Sequence, residues 1–170
     1  MIPHLGVVSK GYGCQFFVMF KHLLAISAAL VLVLPAAALG GSTRSESSLL
    51  RAMNRVRAEH GLGQLTADTH LERAARAHSI EMISANTFKH GAFGSRMQQF
   101  NVTGRLAGEN LAWGTGARGT AQGIVIAWLA SPEHRSNLLR PSFTRVGISD
   151  LVGAFHGHQG VHVVTADFAG

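Results

Sequence analysis

The apolar pattern of this chain changes period once, and that change constrains its fold class. As far as Ala130 apolar residues recur at helical spacing. From Arg145 onward, "RVGISDLV" and "VHVVTADFA" carry the β-branched character of strands. The Gly-rich "FHGHQG" between them reads as a hairpin connection. Helices first and a small antiparallel sheet after them make an α+β domain.

The helical part divides into five pieces. Leu49, Leu50, Met53 and Val56 recur at helical spacing behind N-cap candidates Ser45 and Ser47, predicting a helix over Ser47 to His60 that Gly61 ends. "GLGQLT" reads as an extended link. Leu71, Ala74, Ala75, His78, Met82 and Ile83 then line one face of a second helix, where His78 is expected as a hydrogen-bonded core residue. Residues 86–119, rich in Gly, Asn, Thr and Ser, read as long functional loops with one short helix around Ser95 to Phe100. A third long helix, Thr120 to Ala130, is expected to bury Ile124, Val125, Trp128 and Leu129. Pro132 forces a new start, with a helical turn through Asn137 and Leu138.

"MFKHLLAISAALVLVLPAAALG", from Met19, has the short basic start, apolar run and small-residue boundary of a secretory signal peptide. Residues 1–38 therefore read as a leader with Met19 as the true start and cleavage near Ala38, residues 39–48 as a short linker, and residues 49–168 as one domain. Pro35 and the Ala-rich boundary favour cleavage over a retained anchor, which leaves no stable membrane span and a secreted or periplasmic product. The one cysteine, Cys14, lies in the leader, so the mature domain is expected to be free of disulfides and to rest on packing alone. Its charge of +4 comes from twelve arginines and Lys89 against nine acids. The arginines are dispersed, which reads as ordinary solubility charge, and no basic patch is interleaved with aromatics as a nucleic-acid partner would require.

Chemistry concentrates in "KHG", "GENLAWG" and "SPEHRSNLL", which supply His90, Glu109 and His134. Two imidazoles and a carboxylate can bind Zn²⁺ or another divalent cation with water completing the shell. The same trio can transfer protons. Alternatively, His90 and Glu109 hydrogen-bond each other and staple loops to the sheet. Separations of 19 and 25 residues leave these alternatives open. Ser131, three residues before His134, raises a Ser–His nucleophile, but there is no G-x-S-x-G elbow, and a helix cap is the simpler reading. In "HGHQGVH", His156, His158 and His162 can share a strand face as metal ligands, though solvated hairpin histidines are the simpler expectation. "GTGARG" lacks the strand and the later acid of a dinucleotide site. Trp113 and Trp128 read first as core anchors, with Trp113 beside "GEN" also able to line a cleft.

Taken in order, "LLRAMNRVRAEHGLGQLTADTHLERAARAHSIEM", "FKHG", "GENLAWG", "AWLASPEHRSNLL", "FTRVGIS" and "TADFA" resemble the bacterial branch of the CAP superfamily, the SCP-domain proteins. That superfamily unites cysteine-rich secretory proteins, insect antigen 5 and plant pathogenesis-related proteins. The resemblance implies an α-β-α sandwich with a small central antiparallel sheet flanked by helices, and a cleft carrying two histidines and two acids. His90 matches the first histidine, Glu109 the first acid and His134 the second histidine. The fourth position departs from the pattern, because Ser131 stands where many eukaryotic members carry an acid, and Glu133 is near but not at that place. The expected cleft thus comprises His90, Glu109, His134, Trp113, Ser131 and Glu133, with His90, His134 and Glu109 as the metal candidates and no catalytic residue assigned. The expected function is a binding module for an envelope or extracellular ligand, whether peptide, glycan or lipid. A metal-dependent or acid–base hydrolase and a structural envelope protein are the alternatives.

Overall fold

The computed structural model describes residues 43–170. The leader expected over residues 1–38, its cleavage point and Cys14 lie outside the described residues. Helix α1 (Arg44–Glu59) opens on a capping box: the Thr43 hydroxyl accepts from Glu46 N at 3.3 Å, and the Glu46 carboxylate accepts from Thr43 N at 2.7 Å. This places the start before the expected Ser47. Residues 44–48, expected as linker, instead form the first turn, because the reciprocal bonds satisfy amide donors that Ser45 or Ser47 would leave free.

The other helices follow the same local logic. Asp68 caps α2 (Thr69–Ala85) by accepting from His70 N and Leu71 N, and Asn86 ends it in the left-handed conformation. Helix α3 (Phe93–Gln99) is short. The Thr120 side chain caps α4 (Ala121–Ala130), and α5 (Pro132–Leu138) restarts with its proline in the first turn. Ile124, Val125 and Trp128 are buried as expected, while Leu129 is only partly so.

Four strands form one sheet in the order β1-β3-β4-β2: β1 (Thr66–Ala67), β2 (Ala107–Gly114), β3 (Arg145–Phe155) and β4 (His158–Ala169). Strand β4 pairs antiparallel with both β2 and β3, and the two-residue β1 adds a parallel edge to β3. Two expectations change here. "GLGQLT" is not only a link, since its Thr66 opens β1. "AGENLAWG", expected as loop, is an eight-residue edge strand whose ladder with β4 overrides its weak apolar alternation. The hairpin is also tighter than "FHGHQG" suggests: His156 and Gly157, at φ 49° and 80°, form the whole turn, as a two-residue connection requires.

Strand β4 sorts its side chains between two helical layers. Val164, Ala166 and Phe168 join Leu49, Met53, Ile124 and Trp128 in a core with α1 and α4, to which α5 adds Leu138. Val161 and Val163 pack with Met82 on the other side, where α2 and α3 lie, and the Thr165 hydroxyl is 2.9 Å from that of Ser79. The result is an α-β-α sandwich. Strand β3 comes so close to α2 that a Cβ on Gly147 would lie 2.0 Å from the Leu71 carbonyl carbon. On the opposite side, buried Arg57 fastens α1 to the chain around α5 through four carbonyls: Gly63 at 2.8 Å, Leu138 at 2.9 Å, Arg140 at 3.1 Å and Phe143 at 2.9 Å. No helix among the described residues is long and apolar enough to cross a membrane.

Candidate functional site

Because β2 is an edge strand, side chains from both helical layers can reach around it. Glu109 stands on β2 directly across from Asp167 of β4. His90 arrives from the segment after α2, which turns at Gly91, where φ is +60° and a Cβ would lie 3.2 Å from His78 Cε1, so a side chain there is strained. His90 Nδ1 lies 2.7 Å from Glu109 Oε1, with the imidazole 59% exposed and the carboxylate 3% exposed. A carboxylate only accepts, so Nδ1 donates. In its neutral form the ring presents a bare Nε2 to solvent, its orientation fixed by a buried partner.

The carboxylate is itself held from three sides. Arg96 of α3 pairs through Nη2 with Glu109 Oε2 and lies 3.7 Å from Asp167 Oδ1, while its Nη1 donates to the His90 carbonyl at 3.4 Å. His78 Nε2 of α2 is 3.7 Å from Glu109 Oε2 and donates to the Lys89 carbonyl at 2.9 Å, while its Nδ1 is 3.2 Å from Glu81. His78 is therefore the hydrogen-bonded core residue expected, and burial lowers its pKa, with the charge of Arg96 acting the same way. Burial raises Glu109 to about 7 against the opposing pull of Arg96. Asp167, fully buried, is raised well above the ordinary carboxylate range by burial and then by the charge of Glu109.

His134 comes from the other layer, on α5, and is tied to the edge strand through its backbone. Asn110 Nδ2 donates to the His134 carbonyl at 2.9 Å, and Asn137 Nδ2 donates to the Glu109 carbonyl at 3.2 Å and to Asn110 Oδ1 at 3.0 Å. Burial lowers the His134 pKa, with the charge of His90 acting the same way. The remaining candidates fall to the side. Ser131 occupies the cap position of α5, but its hydroxyl makes no capping bond. Glu133 is exposed and acts on His134 only through its charge. Trp113 is neither a core anchor nor beside His90. It lies four residues along β2 from Glu109, about 13 Å away, is 40% exposed, and stacks on His156 with ring centroids 5.6 Å apart. Trp128 is the core anchor, donating from Nε1 to the Leu111 carbonyl at 2.9 Å.

Both Glu109 oxygens already face positive or donating partners, and among the described residues no three His, Cys, Asp or Glu side chains form a group that could hold a metal ion. His90, His134 and Glu109 are thus not placed as a ligand set, nor are His156, His158 and His162. His162 instead bonds Asp150 at 2.8 Å. Sequence reasoning missed Arg96 and Asp167. The latter had a signal in "TADFA", where an acid occupies alternate register with Thr165 inside an apolar strand.

A family model, described as CAP, the cysteine-rich secretory protein family, matches residues 50–168. The YkwD protein of Bacillus subtilis strain 168 is 36% identical over 108 residues, covering 61% of this chain and 41% of that protein. An extracellular protein containing an SCP domain from Bacillus anthracis shares 28% identity at a TM-score of 0.58, over 76% of this chain and 44% of that one. This chain therefore spans less than half the length of either. An outer surface protein from Borrelia burgdorferi superposes at a TM-score of 0.62 over 76% of this chain and 97% of its own, and at 23% identity that likeness is one of fold.

Proposed function

The chain belongs to the CAP family of cysteine-rich secretory proteins, and on that premise we propose that it is a secreted or periplasmic binding module whose His90, Glu109 and His134 engage an extracellular or envelope ligand. The observation that carries this reading is the exposed His90 imidazole backed by a carboxylate that is 3% exposed. A side chain tethered this way loses little rotamer freedom when a ligand meets Nε2, so more of each contact is retained as affinity. His134 lies within electrostatic reach of His90 and offers a second polar group to the same ligand. The similarity to extracellular and surface proteins supports an address outside the cytoplasm, in keeping with the leader pattern from Met19.

The probes are soluble muropeptides, chitooligosaccharides and phospholipid vesicles, titrated calorimetrically against the native chain, His90→Ala and His134→Ala. The expected result is one probe class whose affinity falls about tenfold or more in each variant, while the melting temperature moves by only a few degrees. Native-like binding in both variants, or a collapse of melting temperature, would assign the residues to a structural staple instead. A second reading, acid–base hydrolysis, is favoured by the 2.7 Å His90–Glu109 bond, which orients the imidazole as a general base requires. Cleavage of a bound probe that His90→Ala abolishes would establish it.

A further inference from the structure

The Glu109–Asp167 pair places two carboxyl groups and one guanidinium in a site closed to water. They stand opposite one another on adjacent strands, a position that sets Cβ atoms about 4.5–5.5 Å apart. Asp167 has no exposed surface, and neither of its oxygens receives a hydrogen bond from a protein donor. Its other cross-strand neighbour, on β3, is Gly147, which has no side chain to donate. The remaining charged or titratable groups around the pair are already engaged. Arg96 of α3 pairs with Glu109 and stays 3.7 Å from Asp167, His78 of α2 gives its Nε2 proton to the Lys89 carbonyl, and Glu81 of α2 adds negative charge that opposes ionisation. His90, between α2 and α3, bonds the other oxygen of Glu109.

A buried carboxylate without a donor is the arrangement proteins avoid most consistently. A protonated carboxyl removes the difficulty, because its O–H donates to the neighbouring carboxylate. We propose that Asp167 is a positioning residue that carries the single proton of this pair and donates it, in a hydrogen bond, to Glu109, holding Glu109 as the anion that orients His90. Arg96 decides which partner ionises. Its closer contact is with Glu109, Asp167 Oδ1 being 3.7 Å away, so Glu109 takes the charge and Asp167 keeps the proton. Burial raises both groups, and the charge of Arg96 opposes it at each. The inference rests on the His90 site being the functional one, but its test reads protonation without any ligand, so either can fail alone.

The experiment uses the full chain and Asp167→Asn, whose amide reproduces the donor and cannot ionise. At about pH 8, where ordinary carboxyl groups are ionised, infrared spectroscopy is expected to show a protonated carboxyl C=O band in the native chain that D167N removes. The Glu109 titration, followed by carbon NMR of its carboxyl group, is expected to keep its midpoint within about half a pH unit in D167N, because the donor is preserved. An ionised Asp167 would behave oppositely. No such band would be present, and D167N would lower the Glu109 midpoint by about one unit or more by removing a neighbouring negative charge. Either of those results overturns the proposal.

Discussion

Replacing Glu109 by Gln should change stability in a way that depends on pH with an unusual sign. Burial raises Glu109 from 4.5 to about 7. A carboxyl raised in the folded state binds its proton more tightly there than in the unfolded chain. Its contribution is complete below about pH 4.5 and is lost as pH rises to about 7. The gap of about 2.5 units corresponds to about 3.5 kcal/mol at about 1.4 kcal/mol per unit, of which about 3 kcal/mol is lost between about pH 4.5 and about pH 8, and a side chain 3% exposed needs no discount for solvent screening. Asp167 shifts in the same direction, so its linkage to Glu109 reinforces the sign. His78 and His134 are lowered and lose their contributions as pH falls, opposing this trend in the native chain. Subtracting the E109Q variant removes most of that background. Urea unfolding of both proteins at about pH 4.5 and about pH 8 should show the native advantage over E109Q shrinking by about 3 kcal/mol toward high pH. A difference that is flat, or that grows with pH as for an ordinary salt-bridged carboxylate, would refute the assignment.

Three further outcomes test the frame that carries the site. Arg57→Ala strands the Leu138 and Phe143 carbonyls in the interior and should lower the unfolding free energy by about 4 kcal/mol or more, measured by urea denaturation. A loss under about 1 kcal/mol would mean that water replaces the guanidinium. Gly147→Ala drives a Cβ to 2.0 Å from the Leu71 backbone and should prevent native folding. Gly157→Ala, with open space around it but φ at +80°, should lose only about 1 kcal/mol by thermal unfolding.

The helices were legible because their signals are local. The second helix shows its buried face as a run of apolar positions at fixed spacing, and Pro132 announces a restart that the backbone obeys. Even the error at α1 was correctable from sequence, since Thr43 and Glu46 spell a capping box that Ser45 and Ser47 do not. Strand β2 was not legible for a physical reason. On the face it shares with Glu109 only Leu111 is a buried apolar residue, Trp113 being exposed, so no alternation is left to detect. What makes it a strand is the ladder to β4, a partner about 55 residues away that local pattern does not encode.

That same ladder explains why half the site was visible and half was not. His90, Glu109 and His134 advertise themselves by chemistry in short motifs, whereas Arg96 and Asp167 acquire their roles only from register and layer. Shifting β4 by one residue against β2 would turn Asp167 to the opposite layer, among Ile124, Trp128 and Val146, and leave Arg96 facing Glu109 alone. The charge state of Glu109, and with it the orientation of the exposed imidazole, is therefore a property of strand pairing rather than of any motif. Sequence relatives that keep the three motifs but carry a non-donating residue at the place of Asp167 should hold their first histidine less firmly, which the imidazole order in their crystal structures would reveal.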